Sequence, residues 1–198
     1  MKLVRTLMVM AFLTLWSVSV SAQAVDMVKV LEAAKLIEQR NESRGGGKWF
    51  TRDCSGTMNA IFAEAGFPLA NRLNKAYRTG MSGTAILHAI SEEVAVREIQ
   101  AGDLIFFHDT YDRNGNGISD DPFTHVGMVM KYDASSGVVD FLHYNTWMDT
   151  IITQQLNVKE PSNKELNVIL RWPSKGDTQT KRYAGELVHS FGRITTYA

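Results

Sequence analysis

Residues 53–66 have the sequence DCSGTMNAIFAEAG, which predicts a core helix with a polar start. The apolar side chains repeat at helical spacing along one face: Met58, Ile61, Phe62 and Ala65. Gly66 is suited to end this helix, and Pro68 follows just beyond it. Residues 53–55 are therefore expected at the N-terminal end of a buried helix.

Cys54 is the only cysteine among 198 residues, so no internal disulfide can form. At a helix N-terminus, free N–H groups and the helix dipole stabilise a thiolate, and the same amides can bind the oxyanion of an attacked carbonyl. Pairing with an imidazole is expected to lower the thiol pKa below its usual value of roughly 8.5. The alternative is a buried structural cysteine, which the polar neighbours Arg52-Asp53 and Ser55-Gly56 disfavour. Both interpretations stand at this point.

The chain on either side of this segment predicts helices first and strands afterwards. A helix is expected from Asp26 to about Arg40 and another near Ser82, with Ser43–Gly47 as a flexible approach to the cysteine. Four short runs predict strands: Asp103–Phe107, Val126–Tyr132, Val138–Leu142 and Leu166–Trp172. Asn157–Glu165 is expected to be a polar loop, and Ser190–Tyr197 to add an edge strand. The order predicts an α+β domain in which helices pack on an antiparallel sheet.

Two of the five histidines lie at strand ends that an antiparallel pairing would bring together. His125 immediately precedes one predicted strand, and His143 ends the next. In a hairpin the start of the first strand lies beside the end of the second. A helix N-terminus at that end would complete a Cys54–His125–His143 constellation, since a thiol nucleophile needs an imidazole and the imidazole an orienting group. His88, His108 and His189 lie in contexts that predict no such pairing.

Four segments in order resemble the signature blocks of the NlpC-type cell-wall peptidases, which are bacterial papain-like cysteine hydrolases. They are Asp53-Cys54-Ser55-Gly56, Ala101–Phe107, His125-Val126-Gly127-Met128 and Phe141-Leu142-His143. The resemblance implies a papain-like α+β fold, with N-terminal helices packed on a small antiparallel sheet. It also implies that Cys54 attacks an amide carbonyl, that His125 is the base and that His143 orients His125.

The same resemblance implies a substrate, namely the stem peptides of peptidoglycan. Asp53 matches an acidic residue that binds the free amine of a short cell-wall peptide in relatives, and Ser55 and Trp49 are expected to contact substrate. Relatives usually carry a tyrosine before the cysteine, at the oxyanion site, whereas residues 45–50 here read GGGKWF. The region after His143 is also longer than a minimal member needs. The chemistry itself requires no cofactor.

Residues 112–121 form an insertion with the sequence DRNGNGISDD, which copies the first part of a calcium loop. The expected ligands are Asp112, Asn114, Asn116, Ile118 and Asp120. Phe123 stands where the closing Glu belongs, so affinity would be weak, on the order of 10⁻⁴ to 10⁻³ M. A solvated turn is the alternative, because Asn and Gly suit one equally well.

The N-terminus predicts export. Residues 1–24 combine Lys2 and Arg5, an apolar run and a final Ala-Gln-Ala, which is typical of a cleaved signal peptide. Residues 25–198 would form a single domain with a C-terminal extension after about 150, located in the periplasm or outside the cell. Without the first 24 residues the chain carries 19 basic and 21 acidic residues, which predicts no binding to nucleic acid and none to membrane. A monomer is expected.

Three other functions stay open. One is a thiol amidase or peptidase on the same fold that acts on a protein or a small amide. Another is a catalytically silent exported module that binds wall or peptide, which the absent tyrosine allows. The third is a calcium-dependent surface module, which only the insertion favours.

Overall fold

The computed structural model describes residues 23–172 and 180–197, so most of the predicted signal peptide lies outside the described residues. Four helices precede the main sheet: α1 at Met27–Arg40, α2 at Cys54–Glu64, α3 at Ala70–Ala76 and α4 at Gly83–Ala89. Asp26 caps α1 as predicted, because its carboxylate accepts from the Val28 N–H. In the described ranges no helix is long and apolar enough to cross a membrane.

A two-stranded hairpin and a six-stranded sheet account for the strands. The hairpin pairs β1, Arg44–Gly45, with β2, Lys48–Trp49. The sheet contains β3 at Glu92–Val94, β4 at Leu104–Phe107, β5 at His125–Asp133, β6 at Val138–Asn145, β7 at Thr150–Asn157 and β8 at Val188–Arg193. Its order is β3-β8-β4-β5-β6-β7, and every neighbouring pair is antiparallel. A short 3₁₀ helix, Val96–Glu98, and the short helix α5, Ala184–Leu187, complete the fold. The predicted α+β class is confirmed.

The sheet is buried on both faces because its strands alternate two sets of apolar side chains. In β4, Leu104 and Phe106 pack with α1, α2 and α4, whereas Ile105 and Phe107 pack with Phe141, Leu187 and their neighbours on the other face. The helical side holds the apolar stripe of α2 that the sequence predicts, with Met58, Ile61 and Phe62 fully buried. The start of α2 is therefore fixed against the sheet.

Three sequence predictions are wrong. The segment Ser43–Gly47 is not a flexible approach but a tight hairpin, since Gly46 and Gly47 take positive φ values of 56° and 77° at its turn. Leu166–Trp172 forms only an isolated bridge between Ile169 and Tyr183. The last strand, β8, lies inside the sheet between β3 and β4, not at its edge.

Strand β7, which the sequence did not predict, forms the edge beside β6, and its outward amides are covered. Ile151 N–H donates to Asn41 Oδ1 (2.8 Å) and Thr153 N–H to Glu38 Oε1 (2.6 Å), both at the C-terminal end of α1. Further along, Asn157 N–H donates to Asn167 Oδ1 (2.8 Å). Side chains thus occupy positions at which another strand could pair.

Candidate active site

The Asp-Cys-Ser-Gly segment forms the cap and first turn of α2. Asp53 is the N-cap, and its Oδ1 accepts from Gly56 N–H (2.7 Å). A Cβ on Gly56 would lie 2.0 Å from the Thr51 carbonyl oxygen, so this position requires glycine. Arg52 holds the approach to the helix, because its guanidinium donates to Asp149 Oδ1 (2.9 Å) and to the Asn41 carbonyl (2.7 Å). The cysteine therefore occupies a fixed place at the start of α2.

The Cys54 side chain is half-buried at the start of α2. Thr84 Oγ1 in α4 lies 3.7 Å from Sγ. Burial raises the pKa of the Cys54 thiol above its usual value and outweighs the hydrogen bond from Thr84. The expected lowering of this pKa is wrong, because the cost of taking a thiolate out of water exceeds the effect of the hydrogen bonds to the sulfur. In the described part of the chain, no hydrogen bond joins Cys54 to His125.

His125 and His143 meet at one end of the sheet, as the hairpin prediction required. Their strands pair with Met128 opposite Leu142, and His125 Nε2 lies 2.8 Å from His143 Nδ1. Gly127 permits this close pairing, since a Cβ there would lie 2.8 Å from the Phe141 ring. Burial lowers the pKa of His125 well below its usual value, and the neighbouring imidazole lowers it further. Burial also lowers the pKa of His143 to about 4. Both rings are therefore neutral at pH 7.

Two amide side chains continue the hydrogen bonds from this histidine pair, and neither was predicted from the sequence. Gln154 Oε1 in β7 lies 2.8 Å from His143 Nε2, and Asn145 Nδ2 donates to the same oxygen (3.2 Å). Thr84 beside the thiol was also missed. Asn145 lies two residues after His143 in β6, so the two-residue period of a strand could have placed it on the same face. No local sequence signal identifies Gln154 or Thr84, because both reach the site through packing between different elements.

A cavity of about 580 Å³ brings these residues together. We call Cys54, His125 and His143 its inner wall, which α2, β5 and β6 supply. We call the cavity-lining residues of 110–117, Trp147 and 169–172 its outer wall. Arg171 ties the outer wall together, since its guanidinium donates to the Asp109 carbonyl (2.8 Å). The exposed rings of Trp147 and Trp172 stand edge to face, with centroids 6.0 Å apart. This volume suits a small substrate.

The residues predicted to contact substrate divide into two groups. Asp53 lines the cavity, whereas Trp49 and Ser55 do not appear among its described lining residues. Trp49 lies in β2 with the Arg44 guanidinium 5.5 Å from its ring centroid. Ser55 Oγ donates to Asp53 Oδ1 (2.9 Å), and its side chain faces Gly83. A role for either in binding substrate stays a prediction.

The predicted calcium loop folds around hydrogen bonds to its own oxygens. Asp112 accepts from Gly115 N–H (2.7 Å) and Gly117 N–H (2.8 Å), and Asp120 accepts from the amides of Asn114 and Asn116. Such bonds offset the repulsion among the acidic side chains. The described residues contain no group of three or more His, Cys, Asp or Glu side chains placed to hold a metal. Calcium binding stays a prediction.

The other three histidines form a separate cluster with Phe123. The rings of His108 and His189 stack with centroids 3.8 Å apart, and the centroid of His88 lies 4.5 Å from that of Phe123. Phe123 N–H donates to His108 Nδ1 (3.0 Å). None of these histidines is among the described residues that line the 580 Å³ cavity. The cluster therefore lies apart from the described lining of the cavity that Cys54 shares with His125 and His143.

The chain is similar to known proteins of one family. The family model of the NlpC/P60 family matches residues 42–169, which is well over half of the chain. Among solved structures, the chain is similar to a protein from Staphylococcus aureus subsp. aureus Mu50 described as similar to lipoprotein, NLP/P60 family. The identity is 18% and the TM-score 0.47, over 89% of this chain and 44% of that one, so this chain spans less than half the length of that protein. No curated protein matched the sequence.

Proposed function

The chain belongs to the NlpC/P60 family, which has a cell-wall peptidase type of function, and we propose that it is an exported cysteine hydrolase that cleaves amide bonds in peptidoglycan stem peptides. In this proposal Cys54 is the nucleophile, His125 the base and His143 the residue that orients His125. The observation that carries it is the 2.8 Å contact between His125 Nε2 and His143 Nδ1 beside a cavity that Cys54 also lines. That contact leaves Nδ1 of His125 for the thiol.

The chemistry begins from a neutral pair, because burial disfavours both the thiolate and the imidazolium. Cys54 Sγ–H gives its proton to His125 Nδ1 as the sulfur attacks the amide carbonyl, and backbone amides at the start of α2 bind the oxyanion. The His125 N–H then protonates the leaving amine, and a thioester remains on Cys54. Water attacks this thioester while His125 takes a proton from it, and the free thiol returns.

The substrate would lie between the inner and outer walls. Asp53 would receive the free amine of the peptide, because this residue lines the cavity next to the nucleophile. The pair of Trp147 and Trp172 would contact the part of the substrate nearest the opening. Residues 1–24 would direct export to the periplasm or beyond, where the cell wall is accessible. The protein would act as a monomer.

The proposal is tested by incubating the protein, without residues 1–24, with purified peptidoglycan and analysing the soluble products by mass spectrometry. We expect release of fragments from cut stem peptides, and none from the Cys54→Ala variant. Equal release by both proteins would refute the nucleophile. No release from peptidoglycan, with cleavage of a small amide instead, would refute the substrate.

A silent module that binds wall or peptide is the second candidate. The specific observation in its favour is the raised pKa of the half-buried Cys54 thiol, which lies within hydrogen-bond distance of Thr84 and has no described hydrogen bond to His125. Such a module would co-sediment with insoluble peptidoglycan and release nothing from it. Co-sedimentation without release, by the wild type and by Cys54→Ala alike, would establish binding in place of hydrolysis.

A further inference from the structure

We propose that the amide side chains of Asn145 and Gln154 are positioning residues, which fix the ring protons of His125 and His143 so that His125 presents Nδ1 as the base. The proposal rests on the proposed function, since it concerns the base of that reaction. It adds two residues that have no described hydrogen bond to Cys54 and act through the histidines.

Two backbone N–H groups determine which atom donates in each hydrogen bond of this network. The N–H groups of Trp147 and Met148 both point at Asn145, at 3.0 and 3.1 Å from its Oδ1. A backbone N–H can only donate, so the atom that it meets must be the amide oxygen. Asn145 therefore presents its NH₂ group on the other side, towards Gln154 (3.2 Å). Because Asn145 donates there, Gln154 must present its oxygen.

That oxygen decides the proton on His143. Gln154 Oε1 carries no hydrogen, so His143 Nε2, at 2.8 Å, must donate to it. A neutral imidazole carries one ring proton, which leaves His143 Nδ1 as an acceptor. The neutral state follows from the buried position of this ring, which is 1% exposed.

His125 then has one arrangement that satisfies its neighbour. Its Nε2 lies 2.8 Å from the accepting Nδ1 of His143 and so carries the proton. The lone pair of His125 is left on Nδ1, the ring nitrogen not engaged by His143. The opposite arrangement would place two lone pairs face to face, which costs a buried hydrogen bond. When Nδ1 takes the proton of the thiol, the Nε2–H bond to His143 stabilises the imidazolium.

Gln154 is the residue to change, and Gln155 is its matched control. Gln154→Leu removes the accepting oxygen and keeps a side chain of similar size. Gln155 is the next residue in β7, and its amide donates to the Leu166 carbonyl (3.3 Å), away from the histidines. Gln154→Glu retains an accepting oxygen and serves as the conservative variant, which also covers the case in which Gln154→Leu does not fold.

The experiment reads the ring nitrogens directly, by ¹⁵N NMR of protein labelled in its histidines, with His125→Gln and His143→Gln for assignment. At pH 7 we expect protons on Nε2 of both rings in the wild type, in Gln154→Glu and in Gln155→Leu. In Gln154→Leu both rings should become mixtures of the two neutral forms. Its kcat should fall about 10- to 100-fold with KM unchanged, as for the loss of residues that orient a reacting group. Gln155→Leu should keep its kcat.

A wild-type His125 that carries its proton on Nδ1 would overturn the proposal, as would a Gln154→Leu variant with unchanged ring signals and unchanged kcat. The ring signals are measured without substrate. An inactive wild type with both protons on Nε2 would therefore refute the proposed function and leave the assignment of the amides supported.

Discussion

The inner and outer walls of the cavity are built differently. The inner wall comes from the first residue of α2, the first residue of β5 and a buried position in β6, and its two histidines are almost fully enclosed. The outer wall comes largely from loops, and it exposes Tyr111, Trp147 and Trp172. Its last residues, 170–172, also follow the segment that the family model matches. We infer that the inner wall determines the reaction and the outer wall the choice of substrate.

The largest effect that this comparison predicts is at Cys54. Cys54→Ala should lower the rate of hydrolysis on the order of 10⁴-fold or more. In a group of residues that act as one catalytic unit, the loss of one member removes the contribution of the others as well. Its melting temperature should stay close to that of the wild type, since alanine suits a buried helix N-terminus. Fragment release and thermal melts check both expectations, with Cys54→Ser as a variant of matched size. An active Cys54→Ala variant would show that the inner wall does not determine the reaction.

The two histidines of the inner wall should not be equivalent. His125→Ala should cost about as much as Cys54→Ala, because in the proposed mechanism His125 transfers the proton. His143→Asn or His143→Gln should retain measurable activity and His143→Ala less, since the proposed role of His143 is only to orient the ring. Rates with purified peptidoglycan would rank these variants, with His189→Ala as a control from the separate histidine cluster. A His189→Ala variant as damaged as His125→Ala would mean that the base is assigned wrongly.

Burial of the inner wall should also appear in the pH dependence. The pKa of His125 is lowered, so the acid limb of kcat/KM should lie below pH 6.5. His143 has a pKa of about 4 when folded and roughly 6.5 when unfolded, so the unfolded chain binds more protons between these values. Its contribution to stability is therefore present above pH 6.5 and lost as the pH falls from there to 4. Thermal melts across this range should show a decline that His143→Gln makes shallower; an equal slope in both proteins would contradict the burial.

The sequence and the structure indicate different tryptophans as contacts for the substrate. Trp172 lines the cavity, whereas Trp49, which the sequence predicts to contact substrate, lies outside the described lining. Trp172→Ala should raise KM about 10-fold with little change in kcat, because about 1.4 kcal/mol of uniform binding is lost. Trp49→Ala should leave both constants unchanged. The reverse outcome would move the substrate to the β1–β2 hairpin.

The smallest effect is expected from the predicted calcium loop, which supplies Asp112 and Gly117 to the outer wall. If the loop binds calcium in the folded state alone, the melting temperature should rise as calcium is added over chelator. With affinity on the order of 10⁻⁴ to 10⁻³ M, the shift should appear only at millimolar calcium and should be lost in Asp112→Asn. No heat of binding and no shift at several millimolar would identify the segment as an ordinary turn.

The sequence predicts the inner wall well because its signals are local. The apolar stripe of α2 identifies the place of Cys54, and two short β-rich runs separated by turn residues identify the hairpin that joins His125 to His143. Strand β7 is not predicted from the sequence because of its polar residues, although it pairs along its whole length with β6. Gln154 and Trp172 are not predicted either, since their positions depend on how distant segments pack. The sequence also fails to predict the direction of the pKa shift of Cys54, because the burial of the thiol depends on residues such as Thr84 that lie 30 positions away.

The covered edge of β7 has a consequence for the solubility of the folded protein. A bare edge strand is a template to which a second molecule can add a strand, and such additions grow into aggregates. Here the side chains of Glu38, Asn41 and Asn167 already bond to the outward amides of β7. A second molecule would have to break those bonds before it could pair, so the strand that carries Gln154 is protected from aggregation without a further layer of structure.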